Sequence, residues 1–204
     1  MGKRAVFVGA HPDDIEYGCA GTILKYRDWE TVFILMSCGK EEPYNRKEER
    51  RAEQQRAADR LGVKEVVHMD LPDGGIQCSP ENSRKLAALL AELAPDMIFV
   101  NSANDAHRDH IETARLVMDV CRQKDNLIFY RTYSSVAFQP HLFVDISAWL
   151  EEKERVLSEH RSQLEKYTQK KLFLLETMIM EDKVSGMRLK TKAAEGFVLC
   201  HVLI

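Results

Sequence analysis

The stretch AVFVGAHPDDIEYGCAGTILKYRD, residues 5–28, contains the pattern from which the fold follows. Its first six residues form an apolar run without polar alternation, as expected for a strand that is covered on both faces of a parallel sheet. From Asp14 onward the apolar residues follow a helical spacing: Ile15, Cys19, Ile23 and Tyr26. We therefore predict a buried strand that leads directly into a helix, with the polar sequence HPDD at the junction.

Strand and helix candidates alternate along the rest of the chain. Strands are predicted at residues 31–39, 65–71, 97–100, 127–133, 141–147 and 197–204. Helices are predicted at residues 46–61, 79–93, 111–122, 148–166 and 171–181, with polar loops at residues 40–45 and 181–195. The second of these loops is lysine-rich and is the best candidate for a mobile segment. This alternation predicts an α/β layered fold with a mainly parallel sheet, in a single domain over residues 1–204.

The composition excludes several classes of protein. The chain has 204 residues and a formal net charge of −3, so we exclude a strongly basic nucleic-acid binder and expect no nucleic-acid partner. No apolar run approaches the roughly 20 residues that cross a bilayer, so we expect no membrane contact. The cysteines form no CxxC pair and predict free thiols in a reducing, cytoplasmic compartment: Cys19, Cys38, Cys78, Cys121 and Cys200.

Two polar clusters follow predicted strands. His11-Pro12-Asp13-Asp14 comes directly after the first strand, and residues 104–110, NDAHRDH, come directly after the fourth. In open α/β sheets, ligands bind beyond the carboxyl ends of the strands. If the first and fourth strands are neighbours, as in the usual doubly wound order, both clusters face one crevice.

A dinucleotide fits this crevice poorly. Binding a pyrophosphate requires glycines and free backbone amides at the start of the helix. Here Asp13 and Asp14 place two carboxylates at that position, and Pro12 removes one amide donor. The sequence therefore favours a cation over a dinucleotide.

A divalent metal site fits the residues better. His11 and Asp14 offer an imidazole and a carboxylate on one turn, and His110 from the second cluster completes a set of three ligands. Three nitrogen and oxygen ligands with one open position are typical of catalytic zinc, and Fe²⁺ or Co²⁺ would accept the same set. Asp13 then lies beside the metal as a candidate general base.

Two further residues of the second cluster have candidate roles at this site. His107 lies three residues before His110 and can point into the same pocket without binding the metal. Asp109 can orient either imidazole as a hydrogen-bond acceptor. The competing structural interpretation is that Asp13 or Asp14 merely caps a helix and that the histidines are polar loop residues.

At these residues the sequence resembles the LmbE-like (PIG-L) family of zinc-dependent N-acetylglucosaminyl deacetylases. AHPDD and NDAHRDH carry the resemblance, and further pieces extend it over nearly the whole chain. These pieces are RRAEQQRAADRLGV (residues 50–63), LPDGG (71–75), FVDIS (143–147), HRSQ (160–163) and AEGF (194–197). The resemblance implies a Rossmann-like three-layer α/β fold and a homo-oligomer such as a hexamer.

The resemblance also implies a role for individual residues. The family's zinc ligands correspond to His11, Asp14 and His110. Asp13 corresponds to the general base, and Arg50 to an arginine that binds substrate hydroxyls. His107 corresponds to the histidine that, as an imidazolium, stabilises the tetrahedral intermediate and protonates the leaving amine. The implied reaction is hydrolysis of the acetamide of an N-acetylglucosamine-type sugar or glycoconjugate.

Two other functions remain open on the sequence. One is an amidase that acts on a thiol conjugate with the same metal centre and a different pocket. The other is a non-enzymatic zinc-binding or sugar-binding module. Asp13 favours an enzyme, because mere binding gains nothing from an extra carboxylate next to metal-bound water.

Overall fold

The apolar runs of the sequence form strands that pair with one another in one sheet. The computed structural model describes residues 2–39, 46–121, 126–171 and 173–202, so the loop predicted at residues 40–45 lies outside the described residues. Within them the strands are β1 Arg4–Gly9, β2 Glu30–Leu35, β3 Glu65–His68, β4 Met97–Asn101, β5 Leu127–Tyr130, β6 Leu142–Asp145 and β7 Ala194–His201. The strand order is β3-β2-β1-β4-β5-β7-β6, and β7 alone runs antiparallel to its neighbours. The prediction of a mainly parallel sheet is therefore confirmed.

Helices pack on both faces of this sheet. They are α1 Asp14–Lys25, α2 Lys47–Leu61, α3 Pro80–Leu93, α4 Arg108–Val120, α5 Leu150–Leu157, α6 Arg161–Gln169 and α7 Leu174–Arg188. Because side chains alternate along a strand, Phe7 of β1 packs with α1, α2 and α5, whereas Val8 packs with α3 and α4. This arrangement confirms the three-layer α/β fold. None of the helices in the described part of the chain is long and apolar enough to span a membrane.

The pairing of β1 with β4 decides where the two polar clusters meet. The two strands are parallel neighbours, and Val8 lies opposite Val100. Their carboxyl ends therefore reach the same edge of the sheet, as the doubly wound order requires. The chain after β2 continues along this edge, because the amides of Met36 and Ser37 donate to the carbonyls of Gly9 and Ala10.

Two predictions for the carboxyl-terminal part were wrong. The single helix predicted at residues 148–166 is two helices, because α5 ends at Leu157 and α6 begins at Arg161. The loop predicted at residues 181–195 is largely helical, since α7 continues to Arg188. The buried side of α7 includes Met178, Ile179 and Gly186, whereas Lys183 and Arg188 are exposed. The polar composition that suggested a loop therefore belongs in part to the solvated side of a helix.

A buried ion-pair cluster joins the carboxyl-terminal elements to α1. The Lys153 ammonium group lies 2.7 Å from carboxylate oxygens of both Glu195 and Asp182, and it donates to the Tyr17 carbonyl. Glu195 in turn accepts the backbone amides of Gly21 and Thr22 in α1. These charged groups are almost completely removed from water. Burying a charge is costly, so the stability of each charged form depends on the ion pairs and hydrogen bonds that its partners supply.

Lys153→Met tests this cluster. The substitution leaves two carboxylates buried without their cation, so we expect the free energy of unfolding to fall by about 3–5 kcal/mol. Urea denaturation measures the loss. Lys85→Met is the matched control, because the pair that Lys85 forms with Glu81 is exposed and its loss should cost less than about 1 kcal/mol. Equal effects of the two substitutions would contradict the assignment.

Candidate metal centre

Five of the residues singled out in the sequence meet where β1 and β4 end. His11, Asp13 and Asp14 follow β1, and His107 and His110 lie at the amino-terminal end of α4. The ring centroids of His11 and His110 are 5.5 Å apart, and those of His107 and His110 are 4.7 Å apart. The predicted helix at 111–122 in fact begins at Arg108, which places His110 in its first turn.

Asp14 lies between the two imidazoles. Its Oδ1 is 3.2 Å from Nε2 of His110, and its Oδ2 is 3.7 Å from Nδ1 of His11. Its Oδ2 also accepts the backbone amide of His11 at 2.8 Å. Burial would raise the pKa of Asp14, but the neighbouring charges and hydrogen bonds of His110 and His11 hold it well below the usual range. Asp14 is therefore an ionised carboxylate with an imidazole at each oxygen.

The far nitrogen of His11 is held by a second carboxylate. Its Nε2 is 3.1 Å from Oδ2 of Asp109, which also accepts the backbone amide of Gly74 at 2.6 Å. Burial lowers the pKa of His11, but the hydrogen bonds to Asp109 and Asp14 outweigh burial and raise it. An acceptor at Nε2 fixes the tautomer, so Nδ1 is the nitrogen that is free to bind a metal. The orienting role of Asp109 stays a prediction, and it depends on this contact.

His110 is oriented in the same way by Asp105, which was not assigned a role from the sequence. Its Nδ1 is 3.1 Å from Oδ1 of Asp105, so Nε2 faces Asp14. The hydroxyls of Thr132 and Ser134 each donate to Asp105 at 2.6 Å. Burial lowers the pKa of His110, yet Asp14 and Asp105 raise it to about 10. Asp105 lies in the NDAHRDH cluster, five residues before His110, whereas Thr132 and Ser134 follow β5 and are brought to it by the fold.

The donors fit a divalent cation. His11, Asp14 and His110 are all buried, and such polar groups are costly to bury unless a proton or a cation satisfies them. Two imidazole nitrogens and one carboxylate, each held by a further acceptor or donor, suit zinc, Fe²⁺ or Co²⁺. The predicted ligand set of His11, Asp14 and His110 thus has the donor chemistry for such an ion.

Two other groups at the same place also bring possible donors together. His11, His107 and His110 each offer one nitrogen within 4.8 Å of the others. The same distance holds for His11, Asp73 and Asp109. Asp73 belongs to the LPDGG segment and was not assigned a role from the sequence. The predicted ligand set therefore competes with these two alternatives.

Asp13 has a carboxylate that the helix does not use. Although it precedes the first residue of α1, its side chain makes no capping hydrogen bond. Its φ of 102° is strained for any residue other than glycine, and such strain clusters at functional sites. Burial raises the pKa of Asp13 to about 6, even though Arg50 opposes that change. A capping role therefore does not explain Asp13.

The surroundings of His107 favour a neutral imidazole that can donate a hydrogen bond from Nε2. Its Nδ1 accepts the backbone amide of Asp109 at 3.2 Å, which leaves the proton on Nε2. Burial and the nearby cationic forms of His11 and His110 lower the pKa of His107. The expected imidazolium therefore disagrees with this geometry, because a protonated Nδ1 could not accept that amide.

Arg50 lies beside Asp13, as expected for a residue of the site. The guanidinium of this α2 residue donates to the Pro12 carbonyl at 2.8 Å and lies 3.8 Å from Oδ1 of Asp13. Gly39 makes this approach possible. Its φ is +104°, and a Cβ at that position would lie 2.6 Å from Nη1 of Arg50.

Two tyrosines stand next to the metal centre. Tyr133 comes directly after Thr132 in the chain. The centroid of its ring lies 6.4 Å from that of His110, and the two rings are nearly perpendicular. Tyr167 of α6 lies 5.3 Å from Tyr133. The helix is held in place because Glu53 of α2 accepts both the amide and the hydroxyl of Ser162, in the HRSQ segment. Tyr133 is 41% exposed, so an aromatic ring is open to solvent beside the buried ligands.

Comparison with known proteins identifies the family to which the chain belongs. Residues 6–121, more than half of the chain, match the PIG-L family, described as GlcNAc-PI de-N-acetylase. The chain therefore belongs to the PIG-L (LmbE-like) family. Diacetylchitobiose deacetylase of Thermococcus kodakarensis is 24% identical, and the match covers 79% of this chain and 70% of that protein. These relatives support an enzyme that acts on N-acetyl groups.

Solved structures show how widely the fold is used. A conserved protein of Thermus thermophilus is 27% identical with a TM-score of 0.84, covering 98% of this chain and 95% of that one. The 4-carboxy-2-hydroxymuconate hydratase GalB of Pseudomonas putida reaches a TM-score of 0.85 at 18% identity, covering 99% and 98%. Because that enzyme is a hydratase, the fold alone does not decide the reaction.

Proposed function

We propose that the protein is a zinc-dependent hydrolase that removes the acetyl group from an N-acetylglucosamine-type sugar or glycoconjugate. One observation carries the proposal. The carboxylate of Asp13 makes no capping hydrogen bond to α1, although it lies beside the buried residues His11, Asp14 and His110. A site that only binds a metal does not need this fourth residue. Membership of a de-N-acetylase family supports an acetamide as the bond that is cleaved.

The proposed reaction assigns separate tasks to Asp13 and His107. When bound, the divalent cation polarises the acetamide carbonyl and lowers the pKa of water. Asp13 accepts a proton from the water as its oxygen forms a bond to the carbonyl carbon. The Nε2–H of His107 donates a hydrogen bond to the developing oxyanion. As the C–N bond breaks, Asp13 returns the proton to the leaving nitrogen, and the products are acetate and a free amine.

Arg50 is proposed to bind substrate hydroxyls. Its guanidinium is buried at the site, and its Nε has no hydrogen-bond partner among the described residues. A buried donor without a partner is costly, and a substrate oxygen that reached it would satisfy it.

The experiment is a panel of N-acetylated sugars with different aglycones, assayed for acetate release before and after removal of metal with a chelator. We expect turnover that a chelator abolishes and Zn²⁺, Fe²⁺ or Co²⁺ restores. Cleavage of bulky amides of thiol conjugates without acetate release would favour the amidase. Sugar or zinc binding without turnover of any amide would favour the non-enzymatic module.

The exposed ring of Tyr133 predicts a preference for a sugar ring over a small amide. A ring attached to an acetamide at the metal centre would come near Tyr133, which lies 6.4 Å from His110. Tyr133→Ala should raise KM for the sugar substrate roughly 2–10-fold, if the ring contact is worth about 0.5–1.5 kcal/mol. KM for an acyclic N-acetyl amide should not change, and Tyr133→Phe should keep the sugar KM. Equal rises for both substrates would contradict the prediction.

A further inference from the structure

The outer side of α7 has large apolar side chains that the described part of the chain leaves uncovered. They follow one another after seven, four and three residues, which places them on one side of the helix. Their exposed fractions are 61% for Phe173, 64% for Met180, 45% for Val184 and 75% for Met187. We call these four residues the α7 stripe. Since the opposite side of α7 already packs in the core, the helix has a second apolar side.

A groove of about 980 Å³ runs along the α7 stripe. Phe173, Met180 and Val184 line it, together with Phe138 and Pro140 from the segment before β6. Met187 does not line the groove and is the most exposed large apolar side chain of the described chain. The same surface therefore offers both a depression and a projecting apolar side chain. A contiguous exposed apolar surface of this kind marks an interaction site.

The charges of α7 differ between its two ends. Glu176 lies in the first turn and Arg188 in the last turn, and both line the groove. Neither residue forms an ion pair within the described residues. In an antiparallel pair of identical helices, the end with Glu176 meets the end with the partner's Arg188. A two-fold axis produces this arrangement, because the same patch on two copies then contacts itself.

We propose that the α7 stripe and its groove bind the same surface of a second copy of this chain, with the two α7 helices antiparallel. The projecting Met187 of each copy then packs towards the groove of the other. The opposite charges at the helix ends favour this direction over the parallel one. The proposal rests on the exposed side chains, the groove and the charges of α7, and it does not depend on the proposed activity.

The first experiment measures the mass of the full-length protein by light scattering after size-exclusion chromatography. We expect an even-numbered oligomer, and we expect the double variant Met180→Asp/Met187→Asp to have half of its mass. Burying these charges in an apolar contact should weaken association more than about 100-fold. Val136→Asp is the matched control, since Val136 is 48% exposed outside α7, and it should keep the wild-type mass.

The second experiment tests the antiparallel direction without adding a charge to an apolar position. Glu176→Lys alone and Arg188→Glu alone should each raise the dissociation constant about 2–5-fold, and the double variant should restore it. Sedimentation equilibrium measures the constants. A wild-type monomer throughout the micromolar range overturns the proposal, as does an unchanged mass in the Met180→Asp/Met187→Asp variant. Failure of the double charge variant to restore association overturns the antiparallel arrangement.

Discussion

Asp13→Asn should lower kcat by about 10²–10⁴-fold while leaving the metal content unchanged. Asparagine has the same shape but accepts no proton from water at neutral pH. It also tolerates a positive φ, so the strained backbone at φ 102° can persist. Acetate release by the metal-loaded protein gives kcat, and elemental analysis gives the metal content.

Because Asp13 lies beside Arg50, a loss of kcat in Asp13→Asn has to be distinguished from an effect of a displaced Arg50 side chain. Arg50→Lys removes the planar guanidinium near Asp13 but keeps the positive charge. We expect it to raise KM more than it lowers kcat, because the role proposed for Arg50 is to bind substrate. An Asp13→Asn enzyme with wild-type kcat would refute general-base catalysis by this residue.

His110→Ala should abolish tight metal binding. The variant removes the nitrogen that faces Asp14, and we expect the affinity to fall by more than the 10–100-fold typical of losing an outer hydrogen-bond partner. Asp105→Asn, which keeps every proposed ligand and weakens the orientation of His110, should lower the affinity by about 10–100-fold. Titration with Zn²⁺ in the presence of a competing chelator measures the affinities of both variants and of the wild type.

His107→Ala distinguishes the predicted ligand set from the three-histidine group. His107 offers a nitrogen within 4.8 Å of His11 and His110, so distance alone allows it to be a ligand. Under the proposed roles, this variant keeps the metal affinity and loses about 10²–10³-fold in kcat, as for one oxyanion donor. If His107→Ala loses the metal and His110→Ala keeps it, the assignment is wrong.

The sequence was most informative where the physical signal is local. The unbroken apolar run before His11 predicted a strand covered on both faces, and β1 lies in the interior of the sheet. Gly62 predicted the end of α2, and it has the positive φ of 73° that this position favours. Polar clusters after two such strands predicted a crevice, because parallel neighbours end at the same edge.

The sequence was less informative where position depends on packing between distant segments. Asp105 is close to His110 in the sequence, but the hydroxyls of Thr132 and Ser134 that donate to it come from the chain after β5. The orientation of His107 depends on one backbone amide, that of Asp109. The continuation of α7 to Arg188 is stabilised by buried contacts, so a lysine-rich composition could not reveal it.

Anomalous diffraction at the zinc edge from crystals of the metal-loaded protein tests the central claim most directly. The account predicts one strong peak per chain, bound by Nδ1 of His11, a carboxylate oxygen of Asp14 and Nε2 of His110, with Asp13 near but not bound. A peak held instead by Asp73 and Asp109, or by His107 in place of Asp14, would contradict it.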